Sequence, residues 1–171
     1  MEEIELTYLA RALPPGILSA PRKEMLDIYI PASAEHPDLR IRRVGEKCEI
    51  TKKRPIKDGD ASHQMENTIP LTKEEYEEMS QLKGKRTRKT RYYYEEGGAR
   101  YEVDIFRDDL AGLVLVDIEF DSLEKKKSFH PPAWCLAEVT QEKFLAGGMV
   151  CGKRYADIEP QLAKFNYKKI L

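Results

Sequence analysis

The chain is poor in the residues that build redox, zinc and disulfide-framed proteins. Cys48, Cys135 and Cys151 are an odd set without CxxC spacing. That excludes a disulfide frame or a cysteine zinc site and fits free thiols in a reducing compartment. His36, His63 and His130 are scattered and share no ligand spacing, so a surface role is expected for each. No apolar run is long enough to span a membrane, and the first residues show neither a basic nor an apolar signal segment. A strong net charge is also missing: 29 Lys and Arg balance 30 Asp and Glu, so no global field points to nucleic acid or a membrane surface. The expectation is a cytoplasmic protein, a monomer or homodimer, with no nucleic-acid and no membrane partner.

What is present is local charge. The 171 residues, 41% hydrophobic, suffice for one domain over 1–171 with a real core. The charged content of 35% is high, and its sorting carries the information. Strand-like alternation with β-branched and aromatic residues predicts strands at 2–9, 24–30, 38–44, 47–54, 62–69, 86–95, 99–107, 112–120 and 134–139. Gly97–Gly98 in "EEGGAR" marks a hairpin turn, and Gly45 separates two strands. Helices are expected between strands. "TKEEYEEMSQL" has a capping box from Thr72 to Glu75, and "DSLEKKKSF" repeats the device with Asp121 and Glu124. "TQEKFLAG" predicts a short helix ending near Gly147, and "DIEPQLAKF" one capped by Asp157. Many antiparallel strands with few helices imply an α+β fold or a barrel.

By parity, several strands carry charge on one face and apolar groups on the other. Glu3 and Glu5 oppose Ile4 and Leu6; Arg40 and Arg42 oppose Leu39 and Ile41; Lys89 and Arg91 oppose Thr90 and Tyr92. Glu102 and Asp104 oppose Val103 and Ile105, and Asp117 and Glu119 oppose Val116 and Ile118. A sheet with one solvated face accounts for such alternation. Two features favour an enclosed polar site instead. Each strand carries one sign, whereas solvated faces mix signs. In addition, "GLVLVDIEF" is apolar on both faces until Asp117 and Glu119 interrupt it, and buried charges are costly unless paired or metal-bound. The acids would collect a hard cation such as Mg2+ or Mn2+. Arg40, Arg42, Lys53, Lys89 and Arg91 suit phosphate oxygens. Together they form a site for a short polyphosphate chain. The basic run "LKGKRTRKTR" spreads over both strand faces and is flanked by acidic segments, unlike a nucleic-acid stripe. Trp134 is expected to pack outside the site.

The ordered strand motifs ExE, RxR, KxR, ExD and carboxylate-x-Glu resemble the CYTH superfamily, the triphosphate tunnel metalloenzymes. "KTRYYY", "EVDIF", "GLVLVDIEF" and "PAWCLAEVT" followed by "KFLAGG" resemble its bacterial single-domain members in particular. The resemblance covers nearly the whole chain. It implies an α+β protein built on an eight-stranded antiparallel barrel, closed into a tunnel with charged groups inside and helices packed outside. It also implies that Glu3 and Glu5, Asp117 (in place of the usual Glu) with Glu119, and Asp104 hold Mg2+ or Mn2+. Glu3, Glu5, Asp117 and Glu119 would act in catalysis through a metal-activated water. Arg40, Arg42, Lys53, Lys89 and Arg91 would grip a triphosphate-containing small molecule. Glu66 matches the acid of the middle strand, although the arginine expected near it is not evident, and Lys153 with Arg154 could cap the basic wall. The implied reaction is hydrolysis of inorganic tripolyphosphate or of an organic triphosphate such as thiamine triphosphate or a nucleotide. The alternatives are a class IV-like adenylyl cyclase and a non-catalytic polyphosphate-binding module. One departure stands out. Many relatives open with ExExK, and this chain has Thr7 at the lysine position; Lys52 or Lys57 is a candidate replacement.

Overall fold

Long antiparallel ladders join all nine predicted strands in the computed structural model, which describes residues 2–170. The strands are β1 (Glu2–Ala10), β2 (Arg22–Ile30), β3 (Leu39–Val44), β4 (Lys47–Pro55), β5 (His63–Leu71), β6 (Lys85–Glu96), β7 (Ala99–Phe106), β8 (Val114–Glu119) and β9 (Cys135–Glu138). Each lies within two residues of its predicted bounds. The order is β5-β4-β3-β2-β6-β7-β8-β1, and a further β5–β1 pairing closes these eight into a barrel. Gly97 and Gly98, at φ 60 and 78, form the two-residue β6–β7 turn, which needs positive φ at both positions.

One edge of β1 is divided. Glu2 to Ile4 pair with β5, and Tyr8 to Ala10 pair with the outer strand β9. In the gap, the Glu5 N–H donates to the Ser62 carbonyl (3.0 Å), and the Thr7 N–H donates to Thr140 Oγ1 (3.1 Å). The central strand therefore leaves no backbone donor orphaned where its partner changes.

The helices are α1 (Lys73–Met79), α2 (Leu123–Ser128), α3 (Gly147–Val150) and α4 (Tyr155–Leu162). Thr72 and Glu75 form the expected capping box of α1. For α2 the cap is Ser122, whose Oγ accepts from the Lys125 N–H (3.2 Å); Asp121 pairs with the Lys125 side chain instead. Asp157 is not the cap of α4. The helix begins two residues earlier, where the buried Tyr155 ring anchors its first turn, and Asp157 Oδ2 accepts from the Arg154 N–H (2.8 Å). The "TQEKFLAG" segment forms a 3-10 turn at Lys143–Leu145, and Gly147 begins α3 rather than ending a helix.

Two apolar clusters lie on the outward face, as parity predicts. One gathers Leu6, Tyr8, Tyr101, Val103, Val116 and Trp134. The other gathers Ile28, Ile41 and Cys48 beneath Tyr76 of α1. A third cluster takes inward-parity residues at one end of the barrel: Leu9, Leu115 and Phe106 pack with Val150, Tyr155 and Ile158 of the C-terminal segment. That segment therefore covers one end of the tunnel. The glycines of "KFLAGG" permit the approach. A Cβ on Gly147 would lie 2.0 Å from the Tyr29 hydroxyl, and one on Gly148 2.1 Å from the Pro37 carbonyl.

Candidate active site inside the barrel

Register places the charged residues on one face. Glu5 lies directly opposite Glu119, and Thr7 opposite Asp117, which in turn faces Glu102 of β7. Asp104 is opposite Arg91, and Lys53 is opposite Glu66. The sequence-predicted site residues thus share the barrel interior, but acids and bases interleave there instead of forming two separate walls. The Lys53 ammonium bridges Glu3 and Glu5, at 2.6 Å from Glu5 Oε1. These residues are distant in sequence and meet because β5 is the only strand between β4 and β1.

Arg91 is the hub of the opposite side. It forks onto Asp104 (2.7 and 2.6 Å), reaches Asp117 Oδ2 (3.1 Å) and contacts Glu102. Lys89 takes the same Asp104 carboxylate, so both Asp104 oxygens are engaged by cations. Arg42 forks onto Asp27 of β2 (2.6 and 2.8 Å), and both are buried. The sequence reading missed Asp27, although a carboxylate inside the apolar "MLDIYI" is the same signal that singled out Asp117. Arg40 stands 4.0 Å from Glu49, and its buried Nε makes no hydrogen bond.

The electrostatics separate two kinds of carboxylate. Burial would raise Asp104, but Arg91 and Lys89 outweigh it and hold its carboxyl at about 2. Asp27 is likewise buried, and Arg42 holds it well below the usual range. Glu5 goes the other way. Burial raises it, Lys53 opposes, Asp117 and Glu3 reinforce, and the carboxyl is pushed up to about 7. Glu119 is also raised, by burial and by the charges of Glu102 and Glu3. The Glu3–Glu5–Glu119 group thus carries more negative charge than Lys53 neutralises. It consists of hard oxygen donors, the chemistry that suits Mg2+ or Mn2+. Among the described residues, however, no three acidic side chains as they stand converge closely enough to hold a metal ion.

Thr7 is tied into this network. Its Oγ1 donates to Asp117 Oδ1 (2.8 Å), while Arg91 holds Oδ2. Neither candidate replacement for the lysine enters the barrel. Lys52 faces outward and pairs with Asp38 (3.4 Å), and Lys57 lies exposed in the β4–β5 turn. Arg154 is bound to Asp157 on α4, and Lys153 lines a cavity on the outer wall. Neither caps the basic residues of the tunnel. Glu66 faces inward opposite Lys53 and accepts from Thr68 Oγ1 (2.8 Å).

The comparisons agree with this architecture. An inorganic triphosphatase of Nitrosomonas europaea is 33% identical over 145 residues, covering 84% of this chain and 92% of that protein. The chain belongs to the CYTH superfamily. No protein-family model matches it. The crystal structure of an inorganic triphosphatase superposes with a TM-score of 0.64 at 25% identity, covering 88% of this chain and 95% of the other. A putative adenylate cyclase from Bacillus halodurans has the same fold, with a TM-score of 0.53 at 13% identity over 99% of this chain and 94% of its own. Among the described residues, no helix of this CYTH chain is long and apolar enough to cross a membrane.

Proposed function

We propose that the barrel interior hydrolyses a terminal phosphoanhydride bond of a triphosphate, with inorganic tripolyphosphate as the first substrate. The observation that carries this is the enclosed face on which Arg40, Arg42, Lys53, Lys89 and Arg91 stand among Glu3, Glu5, Asp117 and Glu119. The name of the 33% identical relative supports the same reaction class. Arg40 has a buried donor left over, and the fork of a guanidinium matches phosphate oxygens. Lys53 and Arg91 are now neutralised by carboxylates. A polyanionic substrate competes for these cations, and they offset the charge that grows on the transferred phosphoryl group. Asp104, clamped between Lys89 and Arg91, acts as the counter-ion that orients both.

Glu3, Glu5, Asp117 and Glu119 would hold the divalent cation, Mg2+ or Mn2+. Such an ion neutralises phosphate oxygens and acidifies a water when bound. Glu5 changes protonation near neutral pH, and Lys53 must leave Glu3 and Glu5 for a second cation to share them. The attacking water forms a bond to the terminal phosphorus as the bridging P–O bond breaks, giving orthophosphate and pyrophosphate.

The test is phosphate release from tripolyphosphate by purified protein with Mg2+ or Mn2+, compared with Glu5→Gln, which should be slower by on the order of 100-fold. A panel containing ATP and thiamine triphosphate ranks the organic substrates. Cyclic AMP formed from ATP would replace hydrolysis with cyclisation. Tight triphosphate binding without turnover under either metal would leave only a binding module.

A further inference from the structure

We propose that a cavity of about 290 Å3 on the outer wall of the barrel is a second anion site, taking a tetrahedral oxyanion of the phosphate type. The cavity follows from a mismatch in strand length. Residues Lys89 to Glu96 of β6 pair with β7, so the β6 stretch from Lys85 to Arg88 has an open edge on that side. Two groups cover that edge at separate points. The Gly152 N–H donates to the Arg86 carbonyl (3.1 Å), and the Arg107 N–H donates to the Arg88 carbonyl (2.9 Å). The cavity lies between them, with Leu26 and Ile28 contributing apolar wall.

Four cationic residues line it: Arg86, Arg88, Arg107 and Lys153. Arg88 is neutralised by a fork onto Asp108 (2.9 and 2.7 Å). The other three have no carboxylate within ion-pair distance among the described residues. Arg86 is oriented by the carbonyls of Ser80 and Leu82, and Arg107 by its Nε donating to Thr90 Oγ1 (2.9 Å). Neither arrangement removes positive charge. Of the acidic residues at the cavity, Asp27 gives its carboxylate to Arg42 inside the barrel and Asp108 is committed to Arg88, which leaves Asp109 alone against three cations. Two oriented guanidiniums and a lysine around a small, partly apolar space match the geometry and charge of a single phosphate group. Orthophosphate, the product of the reaction proposed above, is one source; the end of a longer phosphate chain is the other. Binding here does not depend on that reaction.

The experiment is a titration with inorganic phosphate, and separately with pyrophosphate, followed by backbone amide NMR. The proteins compared are the unsubstituted chain, a tunnel variant (Lys53→Met) and an outer-wall variant (Arg107→Gln with Lys153→Gln). The expected result is a binding event that moves the amides of Arg86, Arg88 and Arg107. It should survive Lys53→Met and weaken about tenfold or more in the outer-wall variant. The tighter of the two anions identifies the source. Should the double variant fold poorly, Lys153→Glu alone is expected to abolish the event, since no described salt bridge or side-chain hydrogen bond involves Lys153. Unchanged affinity in the outer-wall variant, or shifts confined to the tunnel, overturns the site. A protein that binds phosphate here yet hydrolyses no triphosphate overturns only the function proposed above.

Discussion

The inward face of the barrel has two halves built on the same strands. Along β1 it runs Glu3, Glu5, Thr7 and then Leu9; along β8, Glu119, Asp117 and then Leu115; along β7, Glu102, Asp104 and then Phe106. Parity is identical throughout, yet Leu9 is 0% exposed in an apolar cluster while Glu5, four residues earlier, sits against an ammonium. The covering structure makes the difference. The C-terminal segment seals the apolar half with Val150, Tyr155 and Ile158, so the strand residues there pack in an apolar cluster. In the charged half, cations from β4 and β6 meet the acids. In a closed barrel, alternation decides which face a residue takes, and position along the strand decides what that face must be.

The largest expected effect comes from the charged half. Glu5→Gln should lower turnover by on the order of 100-fold while making the fold more stable at alkaline pH. Glu5 titrates at about 7 in the fold and near 4.5 ordinarily. Between those values the unfolded chain releases a proton that the fold retains, so stability falls as pH rises and the full penalty applies above pH 7. Removing the charge should raise the unfolding free energy read from urea titration at pH 8 by roughly 1–3 kcal/mol, and hardly at all at pH 4. A midpoint shift equal at both pH values would count against the raised carboxyl.

Arg42→Met tests the opposite kind of pair. Asp27 would be left buried without its counter-charge, at a cost of about 3–5 kcal/mol. In the unsubstituted protein, burial raises Asp27 but Arg42 holds it well below its usual range. The pair's contribution is therefore complete above about pH 4 and is lost as pH falls below it. In the Arg42→Met protein that acid sensitivity should reverse, because a neutral Asp27 becomes the favoured form. Denaturant titrations at pH 7 and pH 3 distinguish the two. In the sealed half, Leu9→Ala should cost about 2–5 kcal/mol through the cavity it leaves, with KM for the triphosphate nearly unchanged. A large KM increase would mean that the two halves are not independent.

Much of this contrast was readable from sequence. Alternation located all nine strands, and the charge sorting brought Glu3, Glu5, Arg91, Asp104, Asp117 and Glu119 to one face before any pairing was known. The pairing itself was not readable. Parity says nothing of barrel shear, so nothing local announces that Lys53 reaches Glu3 and Glu5 across one intervening strand. Asp27 is hidden for a different reason: with apolar neighbours its segment reads as a core strand, and the RxR pattern reads its partner Arg42 as a phosphate ligand. The helix caps erred by one to three residues because Ser122 and Asp121 are both competent, and because a buried Tyr155 sets the start of α4.

The smallest expected effect concerns the boundary between the halves. Thr7 and Asp117 are two positions where this chain departs from the motif pattern it resembles, and they are direct cross-strand partners joined at 2.8 Å. Here a short hydroxyl faces a short carboxylate at the positions where the resemblance implies a lysine and a glutamate. Thr7→Val keeps the shape and removes the donor. Asp117 then retains only Arg91, and its Oδ1 is left without the hydroxyl. The expected cost is about 1 kcal/mol in stability. A severalfold drop in kcat with little change in KM should accompany it, since orientation of Asp117 is lost while the phosphate-gripping cations stay in place. Thr7→Ser should restore both. A serine variant as slow as the valine variant would mean that the methyl group matters and the hydrogen bond does not. Thr7→Lys, by contrast, should be tolerated better together with Asp117→Glu than alone, because only the pair recovers the longer reach.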